Sequence, residues 1–326
     1  MRVFILTIAM LLSLVARVPA QEAVMPQLER YLASDSCSWD ALARQSFADK
    51  ALTASEAADA QRALVERRRE ELRAERAGEM QALEIVLGEF RMPFFFKTFG
   101  DKPAEGRSLF ISLHGGGGAP KRVNDRQWNN QQRLYEPAEG VYVAPRAPTD
   151  TWNLWHEGHI MPLFDRLIED MVLFEGVDPN RVYLIYPDKG HWMDGQDASA
   201  LPWMANFARD PLAGKIVWRK DGHPQPRFYW LGADPDSWTG GELVTAEREG
   251  QTIHLAGFET IPPGLMIYAN DEMLDLNQPV SLEWNQVTRT VQPRRTIATI
   301  HRSLTQRFDP RCVFSSEIPC RLPLSE

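Results

Sequence analysis

His114-Gly115-Gly116-Gly117-Gly118 is the segment of this sequence whose residue types are best suited to chemistry. Glycines leave backbone N–H groups open to approach, and N–H groups converging on one point stabilise the oxyanion that develops during acyl transfer. A glycine loop that cradles phosphate wants Lys and Ser or Thr directly behind it. Ala119-Pro120 stand there instead. The run therefore reads as an oxyanion loop of His114, Gly115, Gly116 and Gly117, with a plain flexible loop as the alternative.

Few other residues offer chemistry. Ser112 sits two positions before His114, inside an apolar run where a strand-face role is expected. Ser199 has no glycine elbow around it, and Gly-x-Ser-x-Gly occurs nowhere in the chain. His191 alone reads as a loop histidine, although Asp194 and Asp197 are close enough in sequence to orient it. His156-Glu157-Gly158-His159 invites a metal reading, but Gly158 disfavours a helix and the pattern is not His-Glu-x-x-His. No metal and no cofactor are expected. Trp152 and Trp155 suit the wall of a substrate groove or a core. The chain has three cysteines, of which Cys312 and Cys320 are close enough in sequence to bridge in an oxidising compartment, leaving Cys37 unpaired.

The elements that must position these residues follow from composition and periodicity. A length of 326 residues, 44% hydrophobic and 25% charged, supports a globular core. A net charge of −8 argues against nucleic acid as a partner. Arg2, the apolar run Val3 to Ala16 and the small residues Val18-Pro19-Ala20 read as a signal peptide over 1–20, so an exported, periplasmic or extracellular protein is expected. No stretch is long and apolar enough for a membrane span. From Ala51 to Gly78 a charged helix is expected, with a shorter one at Met25 to Ala33. Leu83 to Phe90, Met92 to Phe99, Ser108 to Leu113, Val141 to Val143 and Val182 to Tyr186 read as strands, and Ile160 to Phe174 as a helix. Strand, loop, helix and strand in this order imply a parallel α/β sheet. Beyond Asp210, short strand candidates spaced between turns suggest a small antiparallel β module, closed by an amphipathic helix at Arg295 to Arg307.

Several of these segments together carry a resemblance. Leu113 to Gly118, then Val123-Asn124-Asp125 with Trp128-Asn129-Asn130-Gln131, then Ala144 to Trp152, and Val177 to Leu184 resemble, in that order, α/β-hydrolases of the secreted esterase, polyhydroxybutyrate-depolymerase-like or prolyl-oligopeptidase-like kind. The resemblance covers about Gly88 to Asp210. It implies that the glycine loop follows the third strand as the lipase and esterase oxyanion loop. It also implies that Arg181 to Leu184 enters the nucleophile strand, and that Gly190-His191-Trp192 bears the catalytic histidine, His191 acting as general base.

The chain departs from that family at one junction. The triad order is Ser, then Asp or Glu, then His. Only Ile185 to Gly190 separate Leu184 from His191, whereas the two βα units that belong there need about 60 to 100 residues. The expected fold is thus α/β, a truncated α/β-hydrolase sheet: a helical N-terminal extension over 21–82, an incomplete hydrolase domain over 83–210, and a C-terminal β-rich module with a terminal helix over 211–326. The expected function is an exported serine-hydrolase-family protein, ester- or peptide-cleaving in its lineage, that lacks the nucleophile and is inactive. The alternatives are a non-catalytic binder of a small ester, peptide or polymer ligand, and an intact hydrolase whose sequence is missing an internal segment. Apolar faces left open by the missing units would favour self-association.

Overall fold

A computed structural model of the chain describes residues 23–185, 196–219, 226–233, 241 and 243–321. The Ala-, Glu- and Arg-rich stretch forms one long helix, α3 (Ala54–Ala82), after α1 (Val24–Leu32) and the short α2 (Trp39–Leu42). Thr53 starts α3 with a capping box: its hydroxyl accepts from the Glu56 N–H, and the Glu56 carboxylate accepts from the Thr53 N–H at 2.8 Å. Leu64 and Leu72 of α3 are buried in a core shared with Leu28, Trp39, Ile300, Leu304 and Phe308. Helix α7 (Ile297–Gln306) supplies two of these side chains. The terminal helix therefore joins the N-terminal helical layer, where the sequence placed it only against the β module.

Five strands make the first sheet: β1 (Glu84–Leu87), β2 (Phe90–Phe99), β3 (Arg107–Ser112), β4 (Gly140–Pro145) and β5 (Val177–Ile185). Their spatial order is β1-β2-β4-β3-β5. Pairs β1–β2 and β2–β4 are antiparallel, while β4, β3 and β5 run parallel. Helix α4 (Lys121–Gln131) links β3 to β4, and α5 (Ile160–Asp170) with a π turn (Met171–Glu175) links β4 to β5. On one face, Leu109, Ile111, Val141 and Val143 lie under Leu163, Phe164 and Leu167 of α5. On the other, Phe110, Tyr142, Ala144 and Ile185 pack with Tyr135 and with Leu201 of α6 (Ala200–Met204). Burial on both faces explains why β3 and β4 read as continuous apolar runs.

Strand β5 is the open edge. Its register with β3 jumps from Arg107 opposite Val177 to Leu109 opposite Val182, so Asp178 to Arg181 bulge out. Pro179, which has no N–H to give, is tolerated there because the strand is an edge. The segment 205–209 lies against that bulge: the Arg209 N–H donates to Asn180 O at 2.7 Å, and the Arg181 guanidinium to Ala205 O at 3.3 Å. Toward its other end no described strand pairs with the outer side of β5, and Leu184 is 48% exposed.

The remaining strands form two further sheets. One runs β13 (Val287–Val291), β12 (Val280–Trp284), β10 (Thr252–Ala256), β9 (Leu243–Glu249), β6 (Lys215–Arg219). The other runs β14 (Ser316–Pro319), β11 (Met266–Ala269), β8 (Leu231–Gly232), β7 (Arg227–Phe228). The expected all-antiparallel pairing is corrected at one place, since β10 and β12 are parallel. Chain leaving β10 crosses to the second sheet through β11 before it returns, and such a crossover permits parallel pairing. Trp230, Leu231, Val244, Ile253, Ile267, Leu282 and Phe314 form the shared core. The whole is a mixed α/β protein. No described helix is long and apolar enough to cross a membrane.

Cys37, Cys312 and Cys320 are all free thiols, so the bridge that the close spacing of Cys312 and Cys320 allowed is not formed. Both are buried in the β core, and burial pushes the Cys320 thiol up to about 12. A buried thiol of raised pKa is a poor nucleophile. With an aromatic disulfide reagent, the native protein is expected to show at most one rapidly reacting thiol, Cys37, and three after unfolding. One thiol after unfolding would mean that Cys312 and Cys320 are joined.

Candidate functional site

Strand β3 delivers the chain to the glycine loop at the carboxyl end of the sheet. From β3 the chain turns back to β4 on one side, whereas β5 lies on the other. In α/β sheets the crevice at such a reversal, beyond the carboxyl ends of the strands, is where ligands are held. The loop His114 to Gly118 occupies that position.

His114 is buried and turned inward. Its Nε2 accepts the Ala147 N–H at 3.1 Å, which leaves Nδ1 to donate to Gly115 O at 2.7 Å. Burial pushes its pKa down to about 4, so the ring is neutral at pH 7. Its carbonyl accepts the Trp155 indole N–H at 2.9 Å, and the two rings meet edge to face at 5.2 Å. His114 is therefore a strut of the loop and points no nitrogen at the crevice.

The glycines are required by close packing as well as by any chemistry. Gly116 has φ +110°, and a Cβ there would lie 2.5 Å from Asn124 Oδ1. At Gly117 a Cβ would lie 2.5 Å from Trp152 O and 2.9 Å from Thr151 O. The Gly118 N–H donates to Asp150 O at 3.1 Å. Those of Gly115, Gly116 and Gly117 find no acceptor among the described residues, and these glycines are half-buried. Trp152, 86% exposed, flanks the loop beside Gly118.

A polar network anchors the loop from behind. Buried Asn124 on α4 donates to Ala119 O at 2.9 Å and to Asp150 Oδ1 at 2.8 Å. Arg146, also buried, pairs with that Asp150 carboxylate and with Asp125 at 3.1 Å, and donates to Ala147 O at 2.7 Å. Lys121 and Arg146 hold the Asp125 carboxyl below its ordinary pKa. Asn124, Asp125, Arg146 and Asp150 fall within the segments that carry the family resemblance. Their positioning role was not read from sequence, because nothing in the spacing showed that α4 and the loop after β4 meet.

The other candidate residues are placed as follows. Trp155 is buried against Phe164 and supports the glycine loop; of the two tryptophans, Trp152 is the one that faces solvent. Ser112 is fully buried and accepts a hydrogen bond from the Gln131 amide. Ser199 lies at the end of a 3₁₀ turn (Gln196–Ser199) that also carries Asp197. His191 and Asp194 lie outside the described residues. His156 to His159 form turns, not a helix: His159 stacks on Phe90 at 3.8 Å, and Glu157 accepts from the Thr149 and Thr151 hydroxyls. Among the described residues no three metal-ligating side chains come together. The structure brings the glycine loop, Trp152 and Trp155 to one place, and no serine, histidine and carboxylate are assembled beside them among the described residues. Compared with family models, curated proteins and solved structures, the chain matches none.

Proposed function

We propose that this chain is an exported protein of serine-hydrolase lineage that holds a small ester, peptide or polymer ligand at the glycine loop without cleaving it. One observation carries the reading: Gly115 to Gly117, whose N–H groups find no acceptor among the described residues, follow the third strand directly beside the exposed Trp152, and Ser112, the serine nearest to them in sequence, is buried and bonded to Gln131. N–H donors that face a carbonyl oxygen bind it whether or not a nucleophile follows, but a base without a nucleophile performs no acyl transfer. The truncated hydrolase sheet belongs to the same proposal, supported by β5 being the last strand of the sheet among the described residues, where further βα units would attach.

The test has two arms. Pure protein is expected to turn over no p-nitrophenyl ester and to take no fluorophosphonate label. It is expected to bind an acyl ester or short peptide analogue, with Trp152→Ala weakening binding by about tenfold or more, the worth of one aromatic face. Ester turnover abolished by the fluorophosphonate would sink the proposal. The half-exposed Leu184 near the end of β5 favours a second reading, an intact hydrolase whose sequence is missing an internal segment. An in-frame Gly-x-Ser-x-Gly in genomic DNA between the codons of Leu184 and Ile185 would establish it.

A further inference from the structure

Away from the glycine loop, helix α3 meets α5 through a cluster of charged side chains. Glu75, Arg76 and Glu79 come from α3, and Arg166, Glu169 and Asp170 from α5. Donors account for most of the carboxylate oxygens. Arg166 donates to both oxygens of Glu79, at 3.0 and 2.9 Å, and to Glu75 at 3.3 Å. Arg76, which is buried, lies 2.9 Å from Glu169 Oε2 and donates to Asp170 Oδ1 at 3.2 Å. From beyond α7, the Phe308 N–H donates to Glu169 Oε1 at 2.8 Å. Further back on α3, Arg68 lies 3.6 Å from Glu71 and also feels Glu75, Arg76 and Glu169. Asp170 Oδ2 is the exception. It is buried, and no N–H or O–H reaches it among the described residues. The Asp170 carboxyl instead meets the Glu79 carboxyl within hydrogen-bond reach.

Two carboxyl groups in contact have only acceptors to offer each other unless one of them carries a proton. In a buried site the alternative is two like charges side by side, so such a pair keeps its proton. The fork of Arg166 holds Glu79 in the charged form, which leaves the proton to Asp170. Burial and Glu79 push the Asp170 pKa up to about 7 against the pull of Arg76. We propose that a proton shared by Asp170 and Glu79 clasps the end of α3 onto α5, and that this clasp closes in acid and loosens in base. It is independent of the glycine loop and of the hydrolase lineage. Opening the last two turns of α3 would let water reach Asp170 and return its carboxyl to the ordinary value of 3.8, so opening releases a proton. Rising pH therefore favours the open form between those two values, by at most about tenfold per pH unit, and adds nothing further above them.

Two measurements on the full chain test the clasp. Infrared difference spectra should show the C=O stretch of a protonated carboxyl at about pH 6, where ordinary carboxyls are ionised, and its loss by about pH 8. The band should be absent from Asp170→Asn. In Glu79→Gln it should vanish at lower pH, because the Gln amide donates to an ionised Asp170. Hydrogen exchange, corrected for the intrinsic rate, reads the opening itself. Protection of the amides of residues 75–82 should fall at least tenfold between about pH 5 and pH 7 and level off above pH 8. In Asp170→Asn the amide donates to Glu79 at every pH, so protection there should be flat. Circular dichroism melts establish that each variant is folded, and the unmodified chain alone decides the first point if Asp170→Asn is not. No protonated carboxyl at pH 6, a band that survives Asp170→Asn, or protection indifferent to pH in the unmodified chain would overturn the proposal.

Discussion

Asp170→Asn is expected to expose an acid lability that the unmodified chain conceals, costing about 3 kcal/mol between pH 6.5 and pH 4. Two buried groups titrate there with opposite signs. His114 has its pKa lowered from 6.5 to about 4 by burial. Between those values the unfolded chain binds a proton that the folded chain does not, so this contribution is present above pH 6.5 and lost as pH falls through about 4. At 1.36 kcal/mol per pKa unit it is worth about 3 kcal/mol. Asp170, fully buried, has its pKa raised from 3.8 to about 7 by burial and by Glu79, with Arg76 opposing. Here the folded chain keeps a proton that the unfolded chain has lost, so the contribution is present below pH 3.8 and lost as pH rises through about 7. The two slopes overlap and largely cancel. Asn at 170 removes one of them, and Arg76 keeps Glu169 at 2.9 Å. Urea unfolding at unit steps from pH 4 to pH 7 reads the stability difference between the two proteins. A difference constant across the window would refute the assignment, whatever the absolute stabilities.

Trp155→Ala should cost about 3–5 kcal/mol, the usual toll for truncating a buried aromatic side chain. Trp155 packs against Phe164 at 5.7 Å and against His114, and its N–H is the partner of the His114 carbonyl. Total stability of a domain is about 5–15 kcal/mol, so the melt should fall sharply. Trp155→Phe separates the two roles. It keeps most of the packing and leaves one buried carbonyl unpaired, for about 1–3 kcal/mol. Ligand binding at the glycine loop should weaken in Trp155→Phe even where the protein stays folded, because the strut that sets the loop has lost its tie. Unchanged binding in that variant would show that the loop is positioned by the Asn124, Asp150 and Arg146 network alone.

How far these features were legible in the sequence depends on what holds each element. Strands β3 and β4 and helix α5 announce themselves because burial on two faces, or on one helical stripe, writes a hydrophobic pattern. Helix α4 does not. Its residues Lys121 to Gln131 are almost all polar, only Asn124 is fully buried, and the helix is held by polar ties such as the Trp128 indole N–H to Ala144 O at 2.9 Å. Strand β13 is poorly marked in the sequence, because its turn, Asn285-Gln286 with φ +44° and +67°, lacks the glycine that marks hairpins of this kind. The glycine loop was placed correctly behind its strand, since the apolar run stops at the histidine. Whether Trp155 walls a groove or fills a core is decided by α5, which no local spacing reveals.

The packing of α3 on α7 has a consequence in time. Some 214 residues separate Ala82 from Ile297, and at about 5–20 residues per second of synthesis that delay is on the order of 10–40 s. Throughout it, Leu64 and Leu72 on a finished helix have no partner from the far end of the chain. The nascent chain must therefore be shielded or held in a provisional arrangement until its last helix emerges, and the N-terminal layer consolidates last although it is made first.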